Sequence, residues 1–509
     1  MTVGDGLPRF DVMPLQRLRS PRVTCLSAVA AVLVAVLFGS ATPAHATGRG
    51  LVDDYRSAYA TPGIAAAVID GSSVETTVRG RDGDGDAVTT GTSFRIASMS
   101  KSMTATAVML LVDRGRVVLD DPVVTVLPEF RMADPRFTAI TVRHLLSHTS
   151  GLSSSTNNDY VFPPPRDARQ AVARLADETL AADPGSEPVY HNTNFTIAAR
   201  IVEVVSGRPF DEFLRAELFT PLGMTHTRST PGCSDRAEGL PSGYEVVLGF
   251  AVAVPEMPGT CAGNGGVIST LDDMVRWLRF NQGGPGAGLL SAAALTELHT
   301  VQPGAGDYAL GWQARPAAAG VPPTIGHGGT LATWTGDMVF SPTTGRAAVV
   351  LTNSVGAPGE LSANLLAERT GTPTRPMSNP LDTVNAVLLG LTVVLAALLV
   401  TAVVRARRWA VRRRTTRRPL LILRLVPLTL ATVLGATLPA VLPILLFGAT
   451  FDVGYWIVFA WLLPLLPLLS LVSCVLGAVA LARRLWCLRH AGQTAAAGDG
   501  ASATGPTTA

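Results

Sequence analysis

Four short runs rich in apolar and β-branched residues, bounded by turn-forming residues, occur in the first three quarters of the chain and are typical of β-strands. The runs form two pairs, residues 63–70 with 74–79 and residues 337–341 with 347–352. Turn-forming residues join each pair, at 71–73 in the first and 342–345 in the second. The pattern therefore predicts two antiparallel hairpins, far apart in sequence.

Between the hairpins, apolar residues recur every three or four positions, which is the period of an amphipathic helix. The helical runs are residues 98–114, 194–205 and 271–280. Gly115 and Gly207 follow the first two runs, and Ser269 and Thr270 precede the third as cap candidates. Strands at both ends with helices between them predict an α+β fold. We expect an antiparallel sheet, flanked by helices, whose first and last strands are neighbours.

Three long apolar runs near the C-terminus predict membrane-spanning helices. They are residues 384–404, 425–447 and 456–482. Nine arginines lie between Arg405 and Arg424, and three more follow the third run. Because basic loops remain in the cytoplasm, the loop 405–424 and the tail 483–509 are expected inside and the link 448–455 outside. The low-complexity tail is expected to be disordered.

Residues 1–46 have the three parts of a secretory signal peptide. Four arginines precede the uncharged run 23–39, and the small-residue sequence Ala44-His45-Ala46 follows it. The alternative is an uncleaved anchor, and Met13 is an alternative start of the chain. Signal peptide and arginine distribution agree in placing residues 47–371 outside the cytoplasm. A proline-rich linker, residues 372–383, is expected to connect them to the first span.

The charge of the chain is distributed unevenly. Residues 47–380 carry 25 basic and 33 acidic side chains, whereas residues 381–509 carry twelve arginines and three aspartates. A mildly acidic main domain argues against nucleic acid as a partner. The lipid bilayer explains the basic C-terminal part, so we expect a multi-pass protein of the cell membrane with an extracytoplasmic main domain and a cytoplasmic tail.

The chain contains 41 basic residues, and Lys101 is its only lysine. A chain that uses arginine for positive charge has reason to keep a lysine where a removable proton is needed, because arginine effectively cannot be deprotonated. Ser98 stands three positions earlier, so the two side chains share a helix face and can meet. The alternative is a helix cap followed by a surface lysine. We interpret Ser98 as a nucleophile and Lys101 as its base.

Six stretches, in the same order as in the family, resemble serine β-lactamase-like hydrolases, which include class C β-lactamases, penicillin-binding proteins, D-aminopeptidases and esterases. They are residues 94–101, which contain Ser98-Met99-Ser100-Lys101, residues 141–152, Tyr190-His191-Asn192, and residues 262–270, 308–312 and 326–329. Together they span the outer domain, roughly residues 51–371. The resemblance implies a β-lactamase/transpeptidase-like fold with a helical subdomain and no cofactor.

The resemblance also implies roles for individual residues. Tyr190 would be a general acid or base, and Asn192 would orient substrate and lysine, with Asn194 as a weaker candidate for that role. His327, Gly328, Gly329 and Thr330 would border the substrate, with the backbone N–H groups of Ser98 and Thr330 forming an oxyanion hole. The alternative for this last stretch is a glycine turn with a histidine in it. Many relatives have Lys-Thr-Gly here, and His-x-Gly is more typical of aminopeptidases and esterases.

Two histidines, His144 and His148, are four positions apart and could share a helix face as metal ligands. A zinc hydrolase of that spacing has Glu directly after the first histidine, whereas this chain has Leu145. We therefore interpret both histidines as scaffold residues and expect no metal site.

Cysteine positions predict one disulfide. Cys25 falls in the signal peptide, Cys474 in a span and Cys487 in the cytoplasmic tail. Cys233 and Cys261 remain for the oxidising compartment, and we expect a bond between them, with two buried thiols as the alternative.

Two functions compete. The leading hypothesis is a membrane-tethered extracytoplasmic serine hydrolase that acts through an acyl-enzyme on peptidoglycan-type peptides, D-amino-acid amides or small esters. The alternative is a catalytically weak penicillin-binding-like receptor or accessory membrane protein on the same fold.

Overall fold

The computed structural model describes residues 50–317, 321–447 and 453–499. The predicted signal peptide and most of the link 448–455 lie outside the described residues. The strands β1 to β11 are, in chain order, Gly63–Asp70, Ser73–Gly80, Phe94–Arg95, Arg228–Ser229, Gly243–Val247, Phe250–Val254, Val267–Ser269, Gln313–Arg315, Thr324–Thr330, Thr335–Phe340 and Arg346–Thr352.

The helices are labelled α1 to α15 in chain order. They are Leu51–Tyr59, Ser100–Asp113, Val123–Val126, Val142–Leu146, Ala168–Ala173, Thr193–Ser206, Phe210–Leu214, Leu271–Asn281, Ala292–His299, Pro358–Arg369, Pro380–Val404, Ala406–Val411, Arg418–Phe447, Val453–Leu462 and Leu465–Asp499. Short 3-10 turns cover Ala97–Met99, Pro135–Ala139, Arg174–Asp177 and Ala287–Leu289, and a π-turn covers Arg215–Phe219.

The central sheet has six antiparallel strands in the order β2-β1-β11-β10-β9-β8. The first and last strands in sequence are neighbours, as the pattern predicts, and their register runs from Ile64 opposite Thr352 to Asp70 opposite Arg346. Strands β10 and β11 are almost entirely buried, because helices cover both faces of the sheet. Two hairpins far apart in sequence therefore combine into one sheet.

Alternate residues of β1 face the two sides of this sheet. Ala65, Ala67 and Ile69 belong to the larger core, which includes residues of α2, α6 and α8. Ile64, Ala66 and Val68 belong to a smaller core formed with α1 and α10. The larger core also includes Ile96 and Met99, so the turn that contains Ser98 is anchored in it.

The predicted helices are present with small differences at their ends. The run 98–114 is divided into the turn Ala97–Met99 and helix α2. Helix α6 ends at Gly207, whose φ of 71° is the left-handed conformation that glycine adopts readily at a helix end. Helix α8 begins after Thr270, and the Thr270 side chain accepts a hydrogen bond from the Asp273 N–H.

Three helices in the described C-terminal residues are long and apolar enough to cross a membrane. The candidate spans are Pro380–Val404, Arg418–Leu442 and Leu465–His490. Within the bundle, the guanidinium of Arg484 lies over the Trp409 ring at 4.6 Å from its centroid, so the two arginine-rich segments meet at the same end. This arrangement agrees with the expectation that both segments face the same side of a membrane.

The third C-terminal segment differs from the predicted span 456–482. The helix breaks at residues 463–464, so α14 is a separate helix and α15 begins at Leu465. Pro464 has no N–H to donate and disfavours a helical conformation at Leu463, which explains the break. Helix α15 also continues through part of the tail that was expected to be disordered, as far as Asp499, because its alanines favour extension of an existing helix. Residues 500–509 lie outside the described residues.

The connection between the hydrolase-like domain and the first span is packed onto that domain. Met377 is 7% exposed and belongs to the smaller core. The Arg375 N–H donates to Asn364 Oδ1, and the Tyr59 hydroxyl donates to the Ser378 carbonyl oxygen at 2.9 Å. Residues 372–379 are therefore irregular, as expected of a linker, but they are held at several points rather than solvated.

Candidate active site

Ser98 lies on a strained turn between strand β3 and helix α2. Ala97, directly before it, has a φ of 51°, a left-handed conformation that is costly for a residue with a side chain. The neighbouring residues Ala97, Met99 and Lys101 are buried, whereas Ser98 is partly exposed and lines a cavity of about 710 Å³. The turn therefore presents one hydroxyl to the cavity from an otherwise buried segment.

Lys101 is completely buried beneath Ser98. Its Nζ is 2.9 Å from Ser98 Oγ, 2.8 Å from Asn192 Oδ1 and 2.9 Å from the Asn264 carbonyl oxygen. Burial lowers the pKa of Lys101 to about 7, against an opposing effect of the Asp159 carboxylate. A neutral amine has two N–H groups and one lone pair. Because Asn192 Oδ1 and the Asn264 oxygen can only accept, they take the two N–H groups and the lone pair faces the Ser98 hydroxyl.

Asp159 fixes the orientation of the Asn192 amide. Asn192 Nδ2 donates to Asp159 Oδ2 at 3.0 Å, so Asn192 Oδ1 must point to Lys101. Sequence reasoning did not find Asp159. It lies in an irregular polar segment without a recognisable motif, and its only sequence signal is a position among turn-forming residues.

Asn194, the weaker candidate for the role of Asn192, points elsewhere. Its Oδ1 accepts from the Ser150 hydroxyl at 2.6 Å, and its Nδ2 lies 3.1 Å from His148 Nδ1. Asn192 is thus the asparagine that contacts the lysine, whereas Asn194 hydrogen-bonds to Ser150 and to His148, a residue of the cavity wall.

The Tyr190 side chain is hydrogen-bonded to Ser98. Although Tyr190 is 49% exposed as a whole residue, desolvation of its phenol raises the pKa of Tyr190, and the hydrogen bond with Ser98 offsets only part of that effect. Its ring packs against the His148 ring with centroids 4.3 Å apart. A phenol with a raised pKa remains protonated at neutral pH. Tyr190 can therefore relay or donate a proton, while Lys101 is the group able to accept one.

Strand β9 brings His327, Gly328 and Thr330 to the wall of the cavity that contains Ser98, whereas Gly329 packs against the nucleophile turn. His327 Nδ1 is 2.5 Å from the Gly328 oxygen and must carry the ring proton, so the Tyr308 hydroxyl donates to Nε2 at 2.8 Å. Burial, with a smaller effect of Lys101, lowers the pKa of His327 to about 3. His327 is therefore a neutral ring oriented by Tyr308, a residue to which sequence reasoning assigned no role.

Gly329 permits the close contact between β9 and the nucleophile turn. A Cβ at this position would lie 2.3 Å from the Ile96 oxygen and 3.1 Å from the Ser98 nitrogen. The adjacent Gly328 has no such restriction, since a Cβ there would meet Asp337 Oδ1 at 3.5 Å. Thr330 ends the strand and lines the cavity, where an oxyanion hole with Ser98 is expected.

The two histidines at positions 144 and 148 perform different structural tasks. His144 Nδ1 accepts from the Thr141 N–H and completes a capping box at the start of α4. His148 is buried, and its Nδ1 accepts from the His191 N–H at 3.2 Å while its ring packs against Tyr190. His148 thus forms part of the cavity wall.

Cys233 and Cys261 are joined by a disulfide at the rim of the cavity. Three residues after Cys261, the Asn264 carbonyl accepts from Lys101. We predict that the pair of substitutions Cys233→Ser and Cys261→Ser lowers the free energy of unfolding by about 3–4 kcal/mol, the chain-entropy value for a loop of this length. Denaturant titration of the outer domain in the full chain measures this change. Equal stability of the variant and the oxidised parent would contradict the prediction.

The pKa of Lys101 predicts the pH dependence of Ser98 acylation. Only the neutral amine accepts a proton, so the rate is expected to rise about tenfold per pH unit below about 7 and to become constant above it. Reaction of the free enzyme with an uncharged ester between pH 5 and 9 measures this profile. The same inflection should remain in Tyr190→Phe, at a lower rate. An inflection near the ordinary lysine pKa would contradict the assignment.

The fold and the grouping of Ser98, Lys101 and Tyr190 are those of a serine hydrolase of the Ser-x-x-Lys class. The chain belongs to the Beta-lactamase family, whose profile matches residues 49–371.

Similar proteins include penicillin-binding protein 4 of Amycolatopsis lactamdurans, which is 32% identical over 325 residues, 57% of this chain and 77% of that protein. The D-alanyl-D-alanine-carboxypeptidase/endopeptidase AmpH of Escherichia coli (strain K12) is 31% identical over 191 residues, 36% of this chain and 48% of that protein. The octameric penicillin-binding protein homologue of Pyrococcus abyssi has the same fold, with a TM-score of 0.54 and 23% identity over 66% of this chain and 79% of that one.

Proposed function

We propose that this chain is a membrane-tethered serine hydrolase that works outside the cytoplasm through an acyl-enzyme. The observation that carries the proposal is the position of Lys101, whose Nζ lies 2.9 Å from Ser98 Oγ and also contacts Asn192 and the Asn264 carbonyl oxygen, so that the neutral form of the amine would present its lone pair to Ser98. The candidate substrates are peptidoglycan-type peptides, D-amino-acid amides and small esters. The three apolar helices and their arginine-rich ends support the tethering and its orientation.

Each step of the proposed reaction can be assigned to a residue of the site. Ser98 Oγ attacks the carbonyl carbon and its proton passes to Lys101 Nζ. The bond to the leaving nitrogen or oxygen breaks as that atom takes a proton through Tyr190. Water then attacks the carbonyl carbon of the Ser98 ester. A proton of this water reaches Ser98 Oγ through Lys101 and Tyr190 as the ester bond breaks, and the acid leaves. The N–H groups of Ser98 and Thr330 would stabilise the negative oxygen of both tetrahedral intermediates.

The charges around the cavity favour substrates without a free carboxylate. His327 is neutral, and Arg315 is held by Asp337 through two hydrogen bonds of 2.6 and 3.1 Å. Asp159 and Asp307 also line the cavity. A substrate carboxylate would meet no unpaired cation among the described residues of this wall, and it would lie near other carboxylates.

This charge distribution predicts a substrate preference. A D-alanyl-D-alanine peptide with an amidated or esterified end is expected to react about tenfold faster, in kcat/KM, than the same peptide with a free carboxylate, because an uncompensated charge costs roughly 1–3 kcal/mol. Product release measured by chromatography, with Ser98→Ala as the control, tests both function and preference. No turnover of peptides, amides or esters by the folded enzyme would contradict the proposed function. Faster reaction of the carboxylate would contradict only the preference.

A further inference from the structure

Part of the wall of the active-site cavity comes from the C-terminal helices. Ile457, Val458, Trp461 and Leu462 line the same cavity of about 710 Å³ as Ser98. Their spacing of one, three and one residues places them on one face of α14. The whole helix, Val453–Leu462, contains no charged residue. An uncharged helix face is thus exposed to whatever substrate occupies this cavity.

Helix α14 belongs to the membrane-related part of the chain. It lies in sequence between α13 and α15, which contain two of the candidate spans, and it contacts both. The break at residues 463–464 separates it from the third span and allows it to border the cavity of the hydrolase domain. A continuous span over 456–482 would have kept these side chains among lipids and neighbouring helices instead.

The hydrolase domain is also held against the start of the first span. The Leu248 N–H, at the turn between β5 and β6, donates to Asp382 Oδ1 at 3.1 Å. Asp382 is in the first turn of α11. In the same hairpin Phe250 is 78% and Val252 60% exposed, and no charged residue occurs from 246 to 254. Exposed apolar side chains beside the beginning of a span are suited to the lipid surface.

The chain continues from that hairpin directly into the cavity wall. Met257, Pro258 and Gly259, a few residues after β6, line the same cavity as Tyr190. The cavity is therefore lined by apolar side chains of α14 and of Met257 and Pro258, and by polar groups that include Ser98, Asp159, Glu256 and Asp307. Its two kinds of wall match a molecule with a polar reactive end and an apolar chain.

We propose that the substrate is an amphiphile of the bilayer, an ester or amide whose carbonyl reaches Ser98 while an apolar chain lies along α14. This inference rests on the proposed hydrolase function and specifies its substrate class. The chemistry is unchanged: the Ser98 Oγ–carbonyl bond forms, the ester or amide bond breaks, and water later releases the acid. The apolar chain contributes binding, because each methylene fully removed from water increases affinity about fourfold.

The test uses the full chain in lipid nanodiscs and two series of esters. One series lengthens the acyl chain of p-nitrophenyl esters from four to eight carbons, and the other lengthens the alcohol chain of acetate esters by the same amount. We expect kcat/KM to rise about tenfold in at least one series, since four methylenes become partly buried. No rise in either series would overturn the proposal.

Substitutions separate a role of α14 from simple partitioning of long esters into lipid. Trp461→Ala is expected to lower the long-to-short ratio of kcat/KM about fivefold, and the isosteric Val458→Thr is expected to lower it about twofold. Trp486→Ala, which removes an exposed tryptophan outside the cavity, should keep the parental ratio. An unchanged ratio in the α14 variants, or an equal loss on short and long esters, would overturn the proposal.

A different result would contradict the proposed hydrolase function. A wild-type chain that is folded but neither labels at Ser98 with a fluorophosphonate nor hydrolyses any ester would contradict that function. A chain that labels and hydrolyses short esters without a chain-length effect would contradict only the amphiphile.

Discussion

Replacement of Lys101 by methionine is expected to lower the rate of Ser98 acylation by about 10²–10⁴-fold, the usual contribution of a general base. Methionine fills a similar volume without a proton acceptor, so the loss would come from the missing lone pair at 2.9 Å from Ser98 Oγ. Stopped-flow measurement with an activated ester gives the rate. A thermal melt shows whether the variant is folded.

Lys101→Arg is the matched test of charge. Arginine keeps a positive charge but cannot accept a proton near neutral pH, so the same loss of acylation is expected. Because Lys101 is completely buried, the larger guanidinium should also destabilise the protein, by about 1–3 kcal/mol. The melting temperature of this variant should therefore fall below that of Lys101→Met. A folded arginine variant that keeps most of its rate would contradict the proton-transfer mechanism.

Gly329→Ala is expected to displace strand β9 from the nucleophile turn. Its Cβ would be 2.3 Å from the backbone oxygen of Ile96, and neither backbone can move without disturbing its neighbours. We expect a destabilisation of about 1–3 kcal/mol from overpacking. We also expect a loss of about 10² in kcat/KM, the effect of a small misplacement at a reacting centre.

The adjacent glycine supplies the stability control for this prediction. Gly328→Ala adds the same methyl group where the nearest atom is at 3.5 Å, so its free energy of unfolding should change by less than about 0.5 kcal/mol. Denaturant titration of the two variants measures the difference. Equal stability of the two would show that β9 does not press on the turn at Ser98 as the structure indicates.

The fold could be predicted from the sequence where the local pattern of apolar and polar residues agrees with the tertiary structure. Strands β1 and β11 are short, nearly continuous apolar runs beside turn-forming residues, and the helices α6 and α8 have clear ends at Gly207 and Thr270. The nucleophile and its lysine were accessible for a different reason. Lys101 is the only lysine in an arginine-rich chain, and its spacing from Ser98 has a direct geometric meaning.

The residues that orient the site were not accessible in the same way. Asp159 reaches Asn192 across a sequence separation of 33, and Tyr308 reaches His327 across 19. Neither contact follows from a helix or strand period, because each depends on how irregular segments pack around the cavity. The protonation of His327 likewise depends on burial, which only the folded structure shows.

The C-terminal helices illustrate a limit of hydropathy as a signal. A run of apolar residues from 456 to 482 satisfies the length of a span, yet Pro464 divides it and α14 leaves the span to line the cavity. Composition alone does not distinguish an apolar residue that contacts lipid from one that contacts a substrate. The docked connection around Met377 is similar, since a proline-rich composition does not reveal its hydrogen bonds to the domain.

Mass spectrometry of the full chain after reaction with a fluorophosphonate tests the central claim most directly. Trypsin cleaves after Arg95 and Lys101, so the expected adduct lies on residues 96–101, and fragmentation distinguishes Ser98 from the buried Ser100. We expect one adduct per chain, at Ser98, and no adduct on folded Ser98→Ala. Modification of a different residue, or no modification of the folded wild-type chain, would contradict a nucleophilic Ser98 activated by Lys101.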